Sequence, residues 1–370
     1  MTNTGQTAGP VIAVDANGAD LGVAVVVRGV NIALANGTRV RIFGPEAEVR
    51  AHLTDPSGLA EVVDAPAAIS NSDEPAAAVR NQRDASVVLG AKAVGAGECS
   101  ALVSAGPTGA MLAASLFNMK RIRGVARPGL AALVPDARGG VTVLLDAGAN
   151  VDVPAEMLVQ FAALGAEFCK WVLDVERPRV GLLSIGEEAG KGTQRVVDAG
   201  KMMSDPAVAS HYEFIGNVEG RDIPTDRVDV VVTDGFTGNV ALKTLEGTAR
   251  ALMLGIKGAL ESSKVALLGG LLAKRQLRRL AADIDPNTHG GALLLGVRGV
   301  AVVAHGSSTA NGVAAAIALA RRSVEGNMVS HLSDAIGALR ELQSDGKSSA
   351  GDGHDPASAS TVTVGANDDA

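Results

Sequence analysis

Short apolar runs alternate with segments of helical pattern along most of the chain. The runs are rich in Val, Leu and Ile and predict strands, of which the first three span residues 11–16, 39–44 and 61–65. Helices are predicted over residues 22–36 and 74–93, and the second is opened by Asp73 as its N-cap with Pro75 in its first turn. This alternation predicts an α/β fold with a mainly parallel sheet flanked by helices on both faces, in one unit or two closely joined lobes.

The end of the chain has a different pattern. Apolar residues at helical spacing predict one more amphipathic helix packed on the body. They are Met328, Leu332, Ile336, Leu339 and Leu342. From about Ser344 the sequence becomes Gly, Ser, Ala and Asp with almost no large apolar residue, and such a segment cannot offset its ordering entropy. We therefore expect a folded α/β domain over residues 10–344 and a disordered tail over residues 345–370.

The predicted strands repeatedly end in turns where glycine stands beside an acid, an amide or a hydroxyl. These turns are VSAGPTG (103–109), LLDAGANVD (144–152), SIGEEAGKG (184–192), FIGNVEGRD (214–222), VVTDGFTGN (231–239) and VVAHGSS (302–308). Because parallel strands deliver their carboxyl ends to one edge of a sheet, we expect the turns to meet there. Glycine lets backbone N–H groups approach a ligand, and a following helix N-terminus adds partial positive charge. The pattern predicts a site for an anionic ligand.

One segment, from Leu245 to Leu280, contains no strand candidate and predicts a helical hairpin over about 245–281. Its centre, residues 265–273, is uncharged and too short to span a bilayer, which takes roughly 20 residues. The flanking charges are all basic: Lys264, Lys274, Arg275, Arg278 and Arg279. An apolar tip with a basic collar suits docking on anionic lipid, with Leu267 and Leu268 inserted. The alternatives are a buried helix–turn–helix with Gly269 and Gly270 as its turn, or a surface for an acidic protein partner.

Composition excludes several classes of protein. With 370 residues, 47% of them hydrophobic, the chain can bury a large core. An aromatic content of 2% and a net charge of −7 argue against nucleic-acid binding, which needs stacking platforms or a basic face. Cys99 and Cys169 stand far apart without metal-ligand spacing and predict buried small side chains. The amino terminus lacks the pattern of a secretory signal, so we expect a cytoplasmic protein.

Eight segments with long recognisable motifs occur in order between Val11 and Arg322. They are VDANGAD, LVSAGPTGA, RPGLAALVP, LLDAGANVD, PRVGLLSIGEEAGKG, FIGNVEGRDI, VVTDGFTGNVALKTLEG and GGALLLGVRGVAVVAHGSS. Together they resemble the bacterial acyl-ACP:phosphate acyltransferases, the PlsX family. The resemblance implies a phosphotransacetylase-like fold, a homodimer, and conversion of long-chain acyl-ACP and inorganic phosphate into acyl phosphate for phospholipid synthesis. It also implies a functional link to the membrane glycerol phosphate acyltransferase that consumes the product.

The turns suit this chemistry. Phosphate is largely dianionic at neutral pH, with a second pKa of ~6, and a thiolate of pKa ~8.5 is a tolerable leaving group. The reaction therefore needs little proton transfer and no Ser/His/Asp triad. It needs two anionic reactants held together and donors for the tetrahedral oxyanion. We expect direct attack by phosphate, without an acyl-enzyme, a cofactor or a metal.

Candidate residues come from these turns. The proposed catalytic residues are His305, Lys191, Asn217, Asp234 and Asn239. The proposed phosphate or substrate ligands are Ser104, Thr108, Asn150, Glu219, Arg221, Ser307 and Ser308. Each has a structural alternative: a capping His and Ser pair at the start of the next helix, a plain surface lysine, an ion pair between Glu219 and Arg221, and ordinary N-caps for the Ser, Thr and acidic residues.

Two departures from the family pattern bear on activity. The family has MGGD where this chain has Asn17, Gly18, Ala19 and Asp20, and it has SAGNTGA where this chain has Pro107. Pro107 removes an amide side chain and a backbone N–H from a predicted anion-binding turn. We interpret the chain as an active, tuned enzyme. The alternatives are a phosphotransacetylase that acts on acyl-CoA and a catalytically silent scaffold at the membrane.

Overall fold

The computed structural model describes residues 9–136, 138–283 and 286–349, and these residues form one eleven-stranded sheet with helices on both faces. The strands are β1 (Val11–Asp15), β2 (Arg39–Gly44), β3 (Ala60–Asp64), β4 (Ala101–Ser104), β5 (Gly129–Pro135), β6 (Val141–Leu145), β7 (Arg179–Leu183), β8 (Glu213–Val218), β9 (Val230–Val232), β10 (Ala292–Leu295) and β11 (Val300–Val303). The helices are α1 (Val23–Ala35), α2 (Glu46–His52), α3 (Pro75–Asn81), α4 (Ser86–Gly95), α5 (Thr108–Asn118), α6 (Ala155–Val172), α7 (Gln194–Met203), α8 (Gly235–Glu261), α9 (Lys264–Asp283), α10 (Ala310–Glu325) and α11 (Met328–Ser349).

The sheet has the order β3-β2-β1-β4-β11-β10-β5-β6-β9-β7-β8 and is parallel except at its centre. There β10 is antiparallel to β11 and to β5, and β5 is antiparallel to β6. The mainly parallel sheet is thus confirmed, but β6, β7, β8 and β9 run opposite to β1, β4 and β11. The expectation that all the glycine turns share one edge is wrong, because the antiparallel centre sends the two parallel halves in opposite directions.

Two apolar layers cover the sheet. On one face, Ile12 and Val14 pack with the buried sides of α1 and α10; on the other, Ala13 and Leu102 pack with α4 and α5. Because successive strand residues point to opposite faces, both sets can be buried at once. Gly29 permits the close contact between α1 and α10, since a Cβ at this position would lie 2.6 Å from Cβ of Val313.

The predicted helix over 74–93 is interrupted. It forms α3 and α4 instead, because Ala85 leaves the helical path to pair with Ala67, and the N–H of Ser86 donates to the Ala67 carbonyl at 3.0 Å. The N-cap is Glu74 and not Asp73: the Glu74 carboxylate accepts from the N–H of Ala77 at 2.6 Å. An Ala-rich pattern carries no signal for such a break.

The last predicted helix is confirmed as α11, and Met328, Leu332 and Ile336 are buried where it packs on α6 and the core. Helix α11 extends to Ser349, so it enters the segment for which composition predicts disorder. Residues 350–370 of that segment lie outside the described residues.

Helices α8 and α9 form the predicted protruding hairpin. Its turn is at Ser262 and Ser263, so the alternative that placed the turn at Gly269 and Gly270 is wrong; both glycines lie inside α9. The alternative of a buried hairpin is also wrong for the single chain, because Leu268 is 60% exposed and Val265 is 82% exposed. Among the described residues, no helix is long and apolar enough to cross a membrane.

Candidate functional site

The turns after β1 and β4 pack together around a buried carboxylate. The Ser104 hydroxyl donates to Asp15 Oδ2 at 2.7 Å and accepts from the N–H of Gly106 at 3.0 Å. Burial raises the pKa of Asp15. A Cβ on Gly18 would lie 2.8 Å from Cα of Gly106, so the two turns touch because both positions are glycine. Ser104 is buried, and its hydrogen bonds position these turns.

The turn after β11 presents an exposed histidine in a fixed orientation. His305 Nδ1 lies 2.8 Å from the Ser307 hydroxyl and accepts the N–H of Ser307 at 3.2 Å. Since a backbone N–H can only donate, the neutral imidazole carries its proton on Nε2. Helix α10 begins at Ala310 with Thr309 as its N-cap, so Ser307 does not start that helix as the capping alternative required. Ser308 is buried beside this turn.

The turn after β6 is organised by a single buried carboxylate. Asp146 accepts hydrogen bonds of 2.8–3.0 Å from the N–H groups of Leu130, Gly148, Ala149 and Asn150 and from the Asn150 side-chain amide. Asn150 is itself buried, and its carbonyl accepts the N–H of Gly235 at 2.7 Å. These contacts make Asp146 and Asn150 positioning residues that fix the start of α8.

Asp234 holds the same helix start from the other side. It is the N-cap of α8, and its carboxylate accepts from the Thr237 N–H at 2.8 Å and from Arg195 at 3.2 Å. Arg195 also pairs with Asp152, which follows the β6 turn. The interpretation of Asp234 as a helix cap therefore agrees with the geometry.

The turns after β7 and β8 form a separate charged surface. The Asn217 amide donates to the carbonyls of Glu188 and Lys191 at 2.8 and 3.3 Å, so it shapes the loop that carries the exposed Lys191. Glu219 and Arg221 form an ion pair at 2.6 Å, as the structural alternative predicted. Arg227 reaches Glu187 at 2.7 Å in the same network, and its hydrogen bond lowers the pKa of Glu187.

Two adjoining cavities lie over the antiparallel centre of the sheet. The first, of about 320 Å³, is bordered by Thr108, Gly148, Asn239 and Lys243. The second, of about 360 Å³, is bordered by Ser307 and Arg250. Both cavities share four lining residues, which are Leu133, Leu242, Glu246 and His305. We call the two together the central cleft.

The central cleft brings together four of the predicted residues, His305, Ser307, Thr108 and Asn239. Within the described chain, the other predicted residues of the turns line neither of its cavities. These are Lys191, Asn217, Asp234, Ser104, Asn150, Glu219, Arg221 and Ser308.

Sequence reasoning missed three charged residues of the cleft, all on α8. Lys243, Glu246 and Arg250 line it, and Lys243 Nζ lies 2.8 Å from Glu246 Oε2. They follow Asn239 at steps of three or four residues and so share one face of the helix. That spacing was the available signal, although the same pattern is typical of an exposed helix face.

The central cleft can hold an anion next to an apolar group. Arg250, the Nε2–H of His305 and Lys243, which is paired with Glu246, are donors, while Leu133 and Leu242 supply an apolar wall. Such donors stabilise an oxyanion when they face the place where charge develops. Both cysteines are buried, which raises the pKa of their thiols and argues against a thiolate nucleophile.

Solved structures share this fold. A phosphotransacetylase from Streptococcus pyogenes superposes with a TM-score of 0.54 at 17% identity, over 85% of this chain and 94% of that one. A branched-chain phosphotransacylase from Enterococcus faecalis V583 gives 0.54 at 15% identity, over 85% and 99%. At these identities the likeness establishes the fold alone, and it confirms the phosphotransacetylase-like α/β architecture.

Sequence comparison establishes the family. The profile described as "Fatty acid synthesis protein" matches residues 11–331. A phosphate acyltransferase from Pelotomaculum thermopropionicum is 42% identical over 332 residues, which is 89% of this chain and 95% of that protein. One from Thermobifida fusca is 41% identical over 338 residues, covering 90% and 93%. The chain therefore belongs to the phosphate acyltransferase family of fatty acid synthesis proteins.

Proposed function

We propose that this protein transfers a long-chain fatty acyl group from acyl carrier protein to inorganic phosphate and so forms an acyl phosphate for membrane phospholipid synthesis. The observation that carries the proposal is His305, which stands at the junction of the two cavities with its donor nitrogen set by Ser307. Cationic and apolar groups adjoin it, as a reaction between phosphate and an acyl thioester requires. Relatives at 41–42% identity that are named phosphate acyltransferases support the reaction class.

The cleft residues have separable roles in this reaction. Lys243, which pairs with Glu246 in the free protein, joins Thr108 and Asn239 in holding phosphate, and one phosphate oxygen attacks the thioester carbonyl carbon. The C–O bond forms as the carbonyl becomes an oxyanion, which the Nε2–H of His305 stabilises. The oxyanion then collapses, the C–S bond breaks, and the carrier leaves as a thiolate that takes a proton from water. Phosphate itself is the nucleophile, so no residue is acylated.

The exposed loop that bears Lys191 suits the carrier side of the reaction. Asn217 fixes the backbone of this loop while the Lys191 side chain stays exposed. We assign Lys191 to the phosphate of the phosphopantetheine arm. Arg221 is already paired with Glu219, so we assign it to the ion-pair network beside this loop and not to direct contact with the arm.

The hairpin suits attachment to an anionic membrane. Leu267 and Leu268 are 51% and 60% exposed near the turn. The basic collar follows them in α9 and is formed by Lys274, Arg275, Arg278 and Arg279. Basic residues near an anionic surface contribute about 1 kcal/mol each. Peripheral attachment would bring the product close to the membrane glycerol phosphate acyltransferase that uses it, and the collar also offers a surface to the acidic carrier protein.

We also propose that the protein forms a homodimer. The exposed apolar residues of α8, such as Phe236 and Val240, provide surface that a second copy could cover. Light scattering of the purified protein tests this directly, since a monomer mass at working concentration would contradict it.

The decisive experiment incubates the protein with palmitoyl carrier protein and phosphate and follows release of the carrier thiol. Thiol release should require phosphate and should be much slower with palmitoyl-CoA. Equal rates with both donors would identify a phosphotransacetylase. No release with either donor would favour a catalytically silent scaffold. The departures from the family pattern at Pro107 and Ala19 are the sequence features that support this alternative.

A further inference from the structure

A third cavity continues the central cleft between the two helices of the hairpin. It has a volume of about 580 Å³ and shares Met253 and Ala281 with the central cleft. His305 borders the central cleft at one end, and Leu260 and Leu267 border the third cavity at the other. The three cavities therefore form one path that starts beside His305 and ends close to the hairpin turn.

The lining of this path becomes more apolar along its length. Near His305 it includes Lys243, Glu246 and Arg250. Farther along α8 and α9 the lining is mainly aliphatic. Its aliphatic members there are Leu245, Ala249, Met253, Ile256, Leu260, Leu271 and Leu277, and the charged residues Lys257, Glu261, Lys274 and Arg278 also line the third cavity. A ligand that fits this gradient has one polar reacting end and a long apolar tail.

We infer that the path binds the fatty acyl chain of the substrate, with the thioester carbonyl beside His305 and the tail lying between α8 and α9 towards the hairpin turn. This inference rests on the proposed function and adds to it the place and direction of the chain. The helical rise puts Ala249 about 10 Å and Met253 about 16 Å from Leu242 along α8. Ala249 therefore borders the early part of the chain, and Met253 with Ala281 borders its distal part.

Continuity with the reacting end favours an acyl chain over a second copy of the protein as the occupant. A protein segment packed on the hairpin would need only the outer surface, where Val265, Leu268 and Leu272 are exposed. It would not need an apolar path that leads inward to His305. Burial of each methylene gives about a fourfold gain, the equivalent of ~0.8 kcal/mol. Occupancy of the path therefore makes the enzyme sensitive to chain length.

Two blocking substitutions with matched controls test the inference. Ala249→Phe fills the path near its start, and Ala251→Phe places the same ring at an exposed position of the same helix. Ala281→Phe fills it farther out, and Ala282→Phe is its exposed neighbour. The measurement is kcat/KM for decanoyl, myristoyl and palmitoyl carrier protein, with light scattering of each variant.

Ala249→Phe should lower the palmitoyl-to-decanoyl ratio by at least about tenfold, since it displaces two or more methylenes. Ala281→Phe should lower the palmitoyl-to-myristoyl ratio and affect the myristoyl-to-decanoyl ratio less. Both controls should keep the wild-type ratios. Unchanged ratios in both blocking variants, or equal changes in the controls, would overturn the inference. A loss of the dimer with unchanged chain-length ratios would also overturn it, because the path would then be an interface between two copies of the protein. An active wild-type protein in those cases leaves the proposed function standing, whereas no turnover with any donor refutes the proposed function itself.

Discussion

Replacement of His305 by Ala gives the most direct test of the central cleft. The change removes the Nε2–H that we assign to the oxyanion. Loss of one such donor lowers turnover by about 10²–10³-fold, or ~2.7–4 kcal/mol. Ser307→Ala should cost much less, about fivefold, because it removes one neutral hydrogen bond of ~1 kcal/mol while the Ser307 N–H still donates to Nδ1. The order of the two effects follows from the geometry of this turn.

The assay is phosphate-dependent thiol release from palmitoyl carrier protein at saturating and limiting phosphate. His305→Gln keeps an amide donor near the ring Nε2 position and should recover part of the lost rate. His52→Ala, at an exposed position at the end of α2, serves as the control and should leave turnover unchanged. Near-wild-type turnover of His305→Ala, or a larger loss in Ser307→Ala than in His305→Ala, would refute this assignment. Circular dichroism and thermal melting establish that each variant is folded.

Three further results are expected. Lys243→Ala should raise the KM for phosphate, while Lys191→Ala should raise the KM for acyl carrier protein; initial-rate measurements that find the reverse would exchange the two roles. Changing Leu267 and Leu268 together to Glu should abolish sedimentation with anionic vesicles and leave the melting temperature nearly unchanged, since both side chains are already half exposed, so a collapse of the fold would contradict an exposed tip. Burial raises the pKa of Asp15 above 3.8, so the folded state holds this proton more tightly than the unfolded state. The free energy of unfolding should therefore fall as pH rises from 3.8 through the raised pKa, and Asp15→Asn should flatten this part of the profile in urea titrations.

Strand and helix positions were predictable because apolar periodicity depends on burial, which the sheet and its two helical layers impose on nearly every element. Strand direction could not be predicted from this periodicity. The apolar runs that form β5 and β10 have the same pattern as the parallel strands, and only their pairing in the structure shows that they are antiparallel to their neighbours. The pattern also could not place the hairpin turn, because Gly269 and Gly270 are tolerated within α9 while Ser262 and Ser263 interrupt the helix.

A residue's position in the central cleft was predictable where it stands at a strand end and faces solvent, as His305 does. Prediction was weaker for polar residues in glycine turns, since the groups that can hold phosphate can equally hold the backbone. Ser104 and Asn150 make internal hydrogen bonds of this kind. Lys243 and Arg250 were missed for the opposite reason, because charges on a helix face usually meet only water and their position over the cleft depends on how α8 crosses the sheet.

Helix α8 connects two regions of the molecule that are far apart. It has 27 residues and is therefore about 40 Å long, with Asn239 and Lys243 in its first turns and Leu260 at its far end. Asp234 and Asn150 fix its beginning, and Leu242 and Leu245 pack its next turns on the core. We therefore expect a small tilt at the hairpin turn to be transmitted along the helix to these anchored turns and to the side chains beside them. Any surface that immobilises the hairpin should also steady Asn239 and Lys243, and the rate of the enzyme should then report whether the hairpin is held or free.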